Sequence, residues 1–285
     1  MRKRSGRSMS NIPVWLIAAL LALVGGILLL SGLLNPAGPG NEMIDPAVIS
    51  LSQKLALLSD VTGAKAEPLF DSSKASLALL RVESQIPAHV HHKSNEVLYV
   101  LSGTGKAHTG SAEYDLSPGI LFIAFAKTPI ELEKTGDQPL DLLIFLTPPS
   151  NEKNVTRLKP EEFSALSKNS LLPLLVNVPE RMKSISIQGK AIPSTTLSNF
   201  SADGNLGLIQ LPQSQKISAD KVSANLLIYV LNGTANAKIN SLEATLKSGD
   251  LVIVPARSKF VIESPEENQS STELIFFSAP PWQAP

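Results

Sequence analysis

Cysteine is absent from the 285-residue chain. Disulfides, thiolate zinc sites, cysteine nucleophiles and the lipidated cysteine of a lipoprotein anchor are therefore excluded. Charge is sparse: 18% of residues are charged against 43% hydrophobic, so the chain can bury a core and is not a disordered tail. The 25 basic and 25 acidic side chains cancel. No basic stripe marks a nucleic-acid partner, and neither a phosphate-cradling glycine loop nor a serine-histidine-acid triad is present. Histidine is equally scarce. The four that exist all fall between positions 89 and 108, and this clustering is the most informative feature of the chain.

Carboxylates are missing from the first 41 residues, which hold Arg2, Lys3, Arg4 and Arg7 before the first acid, Glu42. Residues 14–34 (VWLIAALLALVGGILLLSGLL) form an uncharged run of 21. At ~1.5 Å per residue a helix of that length reaches roughly 31 Å, enough to cross a ~30 Å hydrocarbon layer. The run exceeds the ~7–15 apolar residues of a cleaved signal peptide, and no small-x-small cleavage site closes it. It therefore predicts an uncleaved transmembrane anchor, which makes the membrane a partner through 14–34. The upstream cations place the N-terminus in the cytoplasm and the remainder in the periplasm or outside the cell.

A repeat organises the rest. YVLSGTGKA at 99–107 recurs as YVLNGTANA at 229–237, an offset of 130 residues. The same offset pairs Leu116 with Leu246, Gly119 with Gly249, Ala126 with Ala256 and Phe70 with Phe200. Each copy reads as short apolar runs rich in β-branched residues and punctuated by Gly, Pro, Asn or Ser, the pattern of a double-sheet sandwich or barrel. Strands are predicted around 78–82, 97–101, 119–125 and 142–146, and in the second copy around 206–211, 226–231, 251–254 and 274–277. Helices are predicted only at 46–58 and 160–166. The expected layout is a basic cytoplasmic segment (1–13), the anchor (14–34), a tether with a short helix (35–59) and a first barrel (60–150). A connection (151–195) and a second barrel (196–285) follow.

His89-Val90-His91 sets two imidazoles on one face of a strand, because side chains alternate with period two. Glu96 enters the next apolar run. If a short turn joins the two strands antiparallel, both imidazoles and the carboxylate converge. Two histidines and a carboxylate suit Fe(II), and also Mn or Zn.

The pattern His89-x-His91-x4-Glu96-x6-Gly103, followed by Leu116-Ser117-Pro118-Gly119 and the apolar run 120–125, resembles the signature motifs of the cupin superfamily. The resemblance implies an all-β chain of two tandem double-stranded β-helix (jelly-roll) barrels behind the transmembrane helix, a bicupin. It also implies a divalent metal ion (Fe, Mn, Zn or Ni) held by His89, His91 and Glu96, with a small-molecule ligand at the barrel mouth. Dioxygenase and isomerase chemistry occur in the family, as do non-catalytic binding and scaffolding modules, and a homo-oligomer is a further candidate partnership. The chain departs from the pattern in two places: Ile130 stands where the family's fourth ligand, a histidine, is expected, and Glu83 replaces the opening glycine. The second copy has Ala219, Lys221, Leu226 and Phe260 at the ligand positions, so it is expected to be metal-free.

His92 and His108 are the remaining candidates for a fourth ligand, although strand alternation turns both outward. Tyr99 and Tyr229 fall off the barrel-facing side and are expected to pack between sheets or copies. Lys127 and Glu131 are expected at the surface. Asn154-Val155-Thr156 and Asn232-Gly233-Thr234 match a glycosylation pattern, and Asn232-Gly233 also reads as a turn.

Overall fold

The computed structural model describes residues 44–59, 62–185, 192–268 and 270–283. The predicted anchor at 14–34 lies outside the described residues. Among those described, no helix is long and apolar enough to cross a membrane.

The first copy begins with β1 (Ala47–Ser50), α1 (Leu51–Ala56), β2 (Ala64–Asp71), β3 (Ser76–Val82) and β4 (Gln85–His91). It continues through β5 (Asn95–Ser102), β6 (Gly105–Thr109), β7 (Ala112–Leu116), β8 (Ile120–Ala124), β9 (Pro129–Lys134) and β10 (Leu140–Thr147). The connection supplies β11 (Val155–Arg157), α2 (Pro160–Ser167), β12 (Leu174–Asn177) and α3 (Val178–Lys183). The second copy contains β13 (Ser194–Asn199), β14 (Asn205–Leu211), β15 (Lys216–Ala219), β16 (Asn225–Asn232) and β17 (Thr234–Ile239). It closes with β18 (Leu242–Lys247), β19 (Asp250–Val254), β20 (Phe260–Glu263) and β21 (Thr272–Ala279).

Two double-sheet units result. The first stacks the sheet β12-β8-β5-β10-β3-β2 on β11-β4-β9-β6-β7, and the second stacks β1-β19-β16-β21-β14-β13 on β15-β20-β17-β18. Strand alternation sorts each central strand between two cores. On β5, Leu98 and Val100 fill the first unit, while Val97 and Tyr99 point into a core shared with the second. On β16, Leu226, Ile228 and Val230 fill the second unit and Leu227 joins the shared core. Both faces of each six-stranded sheet are thus covered, which is why β10 reads as the nearly unbroken apolar run LDLLIFLT. Aromatic pairs seal the junction: Phe145 meets Phe277 with ring centroids 5.2 Å apart, and Tyr99 meets Tyr229 at 5.7 Å. Tyr99 and Tyr229 therefore pack between the copies, as alternation predicts.

The predicted helix at 46–58 is only half helical. Residues 47–50 form β1 instead, and the helix starts behind Ser50, far from Asp45. Tertiary context overrides local pattern here, because β1 has an edge to join: Val48 pairs with Val252 and Ile49 with Leu251 in the second unit. The connection repeats the arrangement in reverse. β12 adds to β8 of the first unit, with Leu175 opposite Phe122 and Val176 opposite Leu121. Pro46–Leu58 and Pro173–Ile185 are thus equivalent strand–helix arms, 127 residues apart, and each joins the sheet of the other copy. Equivalent hydrogen bonds lock both, Leu51 N–H to the Gly249 carbonyl and Val178 N–H to the Gly119 carbonyl.

Gly103 sits in the β5–β6 turn at φ +76, and a Cβ there would stand 2.0 Å from the Pro139 carbonyl oxygen, so glycine is required on both counts. Its repeat partner Gly233, at φ +82, makes the corresponding turn behind Asn232.

Candidate metal centre

His89 and His91 lie on β4 in the five-stranded sheet, and Glu96 on β5 in the six-stranded one. The two strands do not pair with each other, so the convergence does not come from the antiparallel joining considered as one route to it. β4 pairs with β9 and β11, whereas β5 pairs with β8 and β10. The turn at 92–94 crosses from one sheet to the other, so imidazoles and carboxylate meet across the sandwich interior. All three residues are buried, at 3%, 6% and 5% exposure for His89, His91 and Glu96. Their ligand atoms lie within 4.8 Å of one another.

Glu96 Oε2 stands 3.6 Å from His89 Nε2 and 3.5 Å from His91 Nε2. Hydrogen bonds of this kind run at ~2.7–3.2 Å, so these contacts are too long to satisfy the oxygen. Buried Glu96 Oε2 accordingly has no hydrogen-bond partner. Donors held ~2.0–2.2 Å from one ion stand about 3.0–3.5 Å apart, close to the observed spacing. The far sides of the rings are already engaged. His89 Nδ1 lies 3.0 Å from the Pro87 carbonyl oxygen, which can only accept, so Nδ1 carries a proton and the neutral ring has its lone pair at Nε2. His91 Nδ1 lies 2.8 Å from the buried Ser150 hydroxyl.

The electrostatics follow from burial and mutual proximity. Burial disfavours a charged His91 and pushes its pKa down to about 4. Burial opposes charge on His89 and Glu96 too, but these partners outweigh it. The His89 pKa is raised by the Glu96 carboxylate, and that of Glu96 is lowered by the two rings. The pocket therefore holds a carboxylate facing two imidazole nitrogens, a donor set suited to a divalent cation.

His92 and His108 do not join the cluster. His92 is exposed, with Nε2 2.8 Å from Thr156 Oγ1 on the outer face of β11. His108 sits among acids, 3.5 Å from Glu133 Oε2 and 3.7 Å from Glu113 Oε1. Lys127 is exposed, with its backbone N–H donating to the His91 carbonyl at 2.7 Å, and Glu131 is half-buried opposite His108 on β6. Ile130 is fully buried directly opposite His89 on β9, so the position of the absent fourth donor is filled by an apolar side chain. Ile130→His is expected to supply that donor and to tighten divalent metal binding by about tenfold or more, the scale on which site-level changes alter affinity. A calorimetric titration checks it; unchanged or weaker binding would show that position 130 does not reach the ion.

In the second unit Ala219 and Phe260 reproduce the His89–Ile130 pairing. Phe260, Phe276 and Trp282 pack edge to face there, at 6.3 Å for Phe260–Trp282 and 5.3 Å for Phe276–Trp282. Lys221 is exposed and Leu226 buried, and among the described residues His89, His91 and Glu96 are the only group that can gather on an ion.

Two polar residues beside the cluster, Ser94 and Ser150, carry no signal in the sequence, and Asn154 stands out there only as a glycosylation pattern. Asn154 is 6% exposed and donates through Nδ2 to Ser94 Oγ at 2.7 Å, so its glycosylation pattern is sterically closed. Common residue types 59 or 60 positions from their partners carry no local signal.

Residues 77–146 match the family described as Cupin domain. Uncharacterized protein MJ1618 of Methanocaldococcus jannaschii is 28% identical over 93 residues, 32% of this chain and 74% of that one. Among solved structures, salicylate 1,2-dioxygenase from Pseudaminobacter salicylatoxidans superposes with a TM-score of 0.69 at 14% identity, over 86% of this chain and 87% of that one. A cupin 2 conserved barrel domain protein from Leptotrichia buccalis gives 0.63 at 13% identity, over 84% of this chain and 100% of that one. At such identities the structural likeness establishes a shared fold.

Proposed function

We propose that the cupin barrel formed by residues 77–146 binds one divalent first-row metal ion through His89, His91 and Glu96 and presents it to a small molecule. The observation that carries this reading is the orphaned Glu96 Oε2, buried between two imidazole nitrogens and bonded to neither. The two rings favour the ionised carboxylate, but a buried carboxylate oxygen without a hydrogen bond still costs on the order of 1–3 kcal/mol. A cation between the three donors removes that cost.

Held by His89, His91 and Glu96, such an ion would supply a Lewis-acid centre, and Fe or Mn would add redox capacity. The chain's own residues do the rest. Pro87 fixes the tautomer of His89, Ser150 holds His91, and Glu96 contributes the negative charge. Leu98, Val100, Phe122, Ile130, Ile144 and Leu146 form the apolar surround that excludes water. Dioxygenase- or isomerase-type chemistry on a small molecule is the activity this arrangement fits. The second unit is read as the degenerate half of a bicupin, with residues 14–34 as an anchor that holds both barrels on the periplasmic or extracellular side of a membrane. The cations before position 14 and the 21-residue apolar run support that placement.

A second reading, a non-catalytic ligand-binding or scaffolding module, is favoured by two observations: Ile130 occupies the fourth-ligand position, and aromatic rings fill the equivalent region of the second unit. Elemental analysis of the purified full chain, after exposure to Fe, Mn, Zn and Ni and removal of free metal, separates the two. About one equivalent of a single metal per chain is expected, and trace amounts of all four would leave the scaffold.

A further inference from the structure

The two imidazoles are secured by different means. His89 is held by its own strand, through the carbonyl of Pro87 two residues back. That bond is local to β4. His91 has no such local partner. Its Nδ1 instead meets the Oγ of Ser150, 59 residues away, at 2.8 Å.

Ser150 is 4% exposed and lies just beyond the end of β10, on a strap that runs back along β4. The strap is stitched down across the imidazole pair itself. In β11, Val155 lies opposite His91, Thr156 opposite Val90 and Arg157 opposite His89. His92 N–H donates to the Asn154 carbonyl at 2.8 Å, and Asn154 Nδ2 donates to Ser94 Oγ in the turn that leads to Glu96. The Ser150 hydroxyl is thus delivered to His91 by a segment registered on the same strand. The repeat offers a natural contrast: β21 lies 132 residues after β10, so the counterpart of Ser150 is Trp282, which offers no hydroxyl, in the copy that also has no imidazoles.

We propose that Ser150 is a positioning residue of the metal centre. Its Oγ accepts a hydrogen bond from His91 Nδ1–H and fixes the ring so that Nε2 faces Glu96, and the strap 148–157 thereby sets the metal affinity of the barrel. This rests on the metal-binding reading above. A metal-ligating histidine depends on the group that engages its other nitrogen, and loss of such a partner weakens metal binding by about 10–100-fold.

The test uses the full-length chain titrated with Co(II), whose visible spectrum reports the donor geometry. Ser150→Ala is expected to raise the Co(II) dissociation constant about tenfold or more and to shift the absorption bands. Ser150→Thr, which keeps the hydroxyl, should restore both to near the wild-type values. If Ser150→Ala binds Co(II) with wild-type affinity and spectrum while His91→Ala loses it, the positioning role is overturned and the metal site stands. If Ser150→Ala lowers only the thermal stability of the metal-free chain and leaves the Co(II) spectrum intact, the residue is merely structural and the proposal fails. A wild-type chain that binds no Co(II) overturns this inference together with the reading beneath it.

Discussion

The chain in which His89 and His91 are both alanine is expected to take up no divalent metal and to show no thermal response to it. A ligand that binds only the folded state stabilises it by about 2.7 kcal/mol when present at ~100 times its dissociation constant. For a chain of this size that amounts to a rise of roughly 5–11 °C in wild-type melting temperature. Removing both nitrogen donors leaves Glu96 alone, 5% exposed, and one carboxylate does not hold a first-row ion against water. The double variant also strips the imidazoles that hold the Glu96 pKa down, so the carboxyl is expected to protonate rather than remain as an unpaired charge. Glu96→Gln is the companion variant: it keeps both rings and the side-chain volume but loses the negative charge, and its thermal shift should fall well below that of the wild type. Differential scanning calorimetry with and without metal checks both. A double variant that still gains the wild-type shift would place the ion elsewhere and end the assignment.

Asp141→Ala is expected to destabilise the chain by about 3–5 kcal/mol, the range for breaking a buried ion pair by removing one partner. Asp141 is 4% exposed on β10 and receives Arg81 of β3 at two points, Nε to Oδ1 at 2.7 Å and a terminal guanidinium nitrogen to Oδ2 at 3.0 Å. Ser102 of β5 donates to the same carboxylate at 2.8 Å, and Arg81 reaches the Leu58 carbonyl behind α1 at 3.1 Å. One carboxylate thus ties three neighbouring strands of the sheet and the arm that crosses to the other unit. Alanine strands the guanidinium, whose side chain is only 14% exposed. The double variant Arg81→Met, Asp141→Leu removes both charges and should recover most of the loss, because a paired replacement leaves no orphan. Urea unfolding of the three chains tests this; a cost below about 1 kcal/mol for Asp141→Ala would mean that the guanidinium finds water instead.

How much of this was legible beforehand differs by feature. Strands such as β3, β5, β10 and β21 were readable because their apolar runs are long and bounded by turn residues, and the offset of 130 between 99–126 and 229–256 exposed the two copies. Period-two alternation correctly put His89 and His91 on one face and turned Tyr99 away from Leu98. The helix at 46–58 was misjudged because four of its residues satisfy their backbone by joining a strand more than 200 positions later. No local pattern encodes such a partner. The same holds for β12 inside the connection, which reads as an apolar linker until β8 is beside it.

The metal centre divides along the same line. Local spacing determined which side chains could meet, since alternation along a strand and the brevity of the turn at 92–94 are properties of the nearest few residues. Only the folded chain decided how they meet. β4 and β5 belong to opposing sheets, so the convergence lies across a sandwich interior, where burial strips water from Glu96 and leaves its oxygen in want of a cation. The hydroxyl that secures His91 and the apolar side chain that displaces a fourth donor come from residues 59 and 41 positions away from their partners. Such contacts are set by sheet register and packing of distant strands, which no short stretch of sequence specifies.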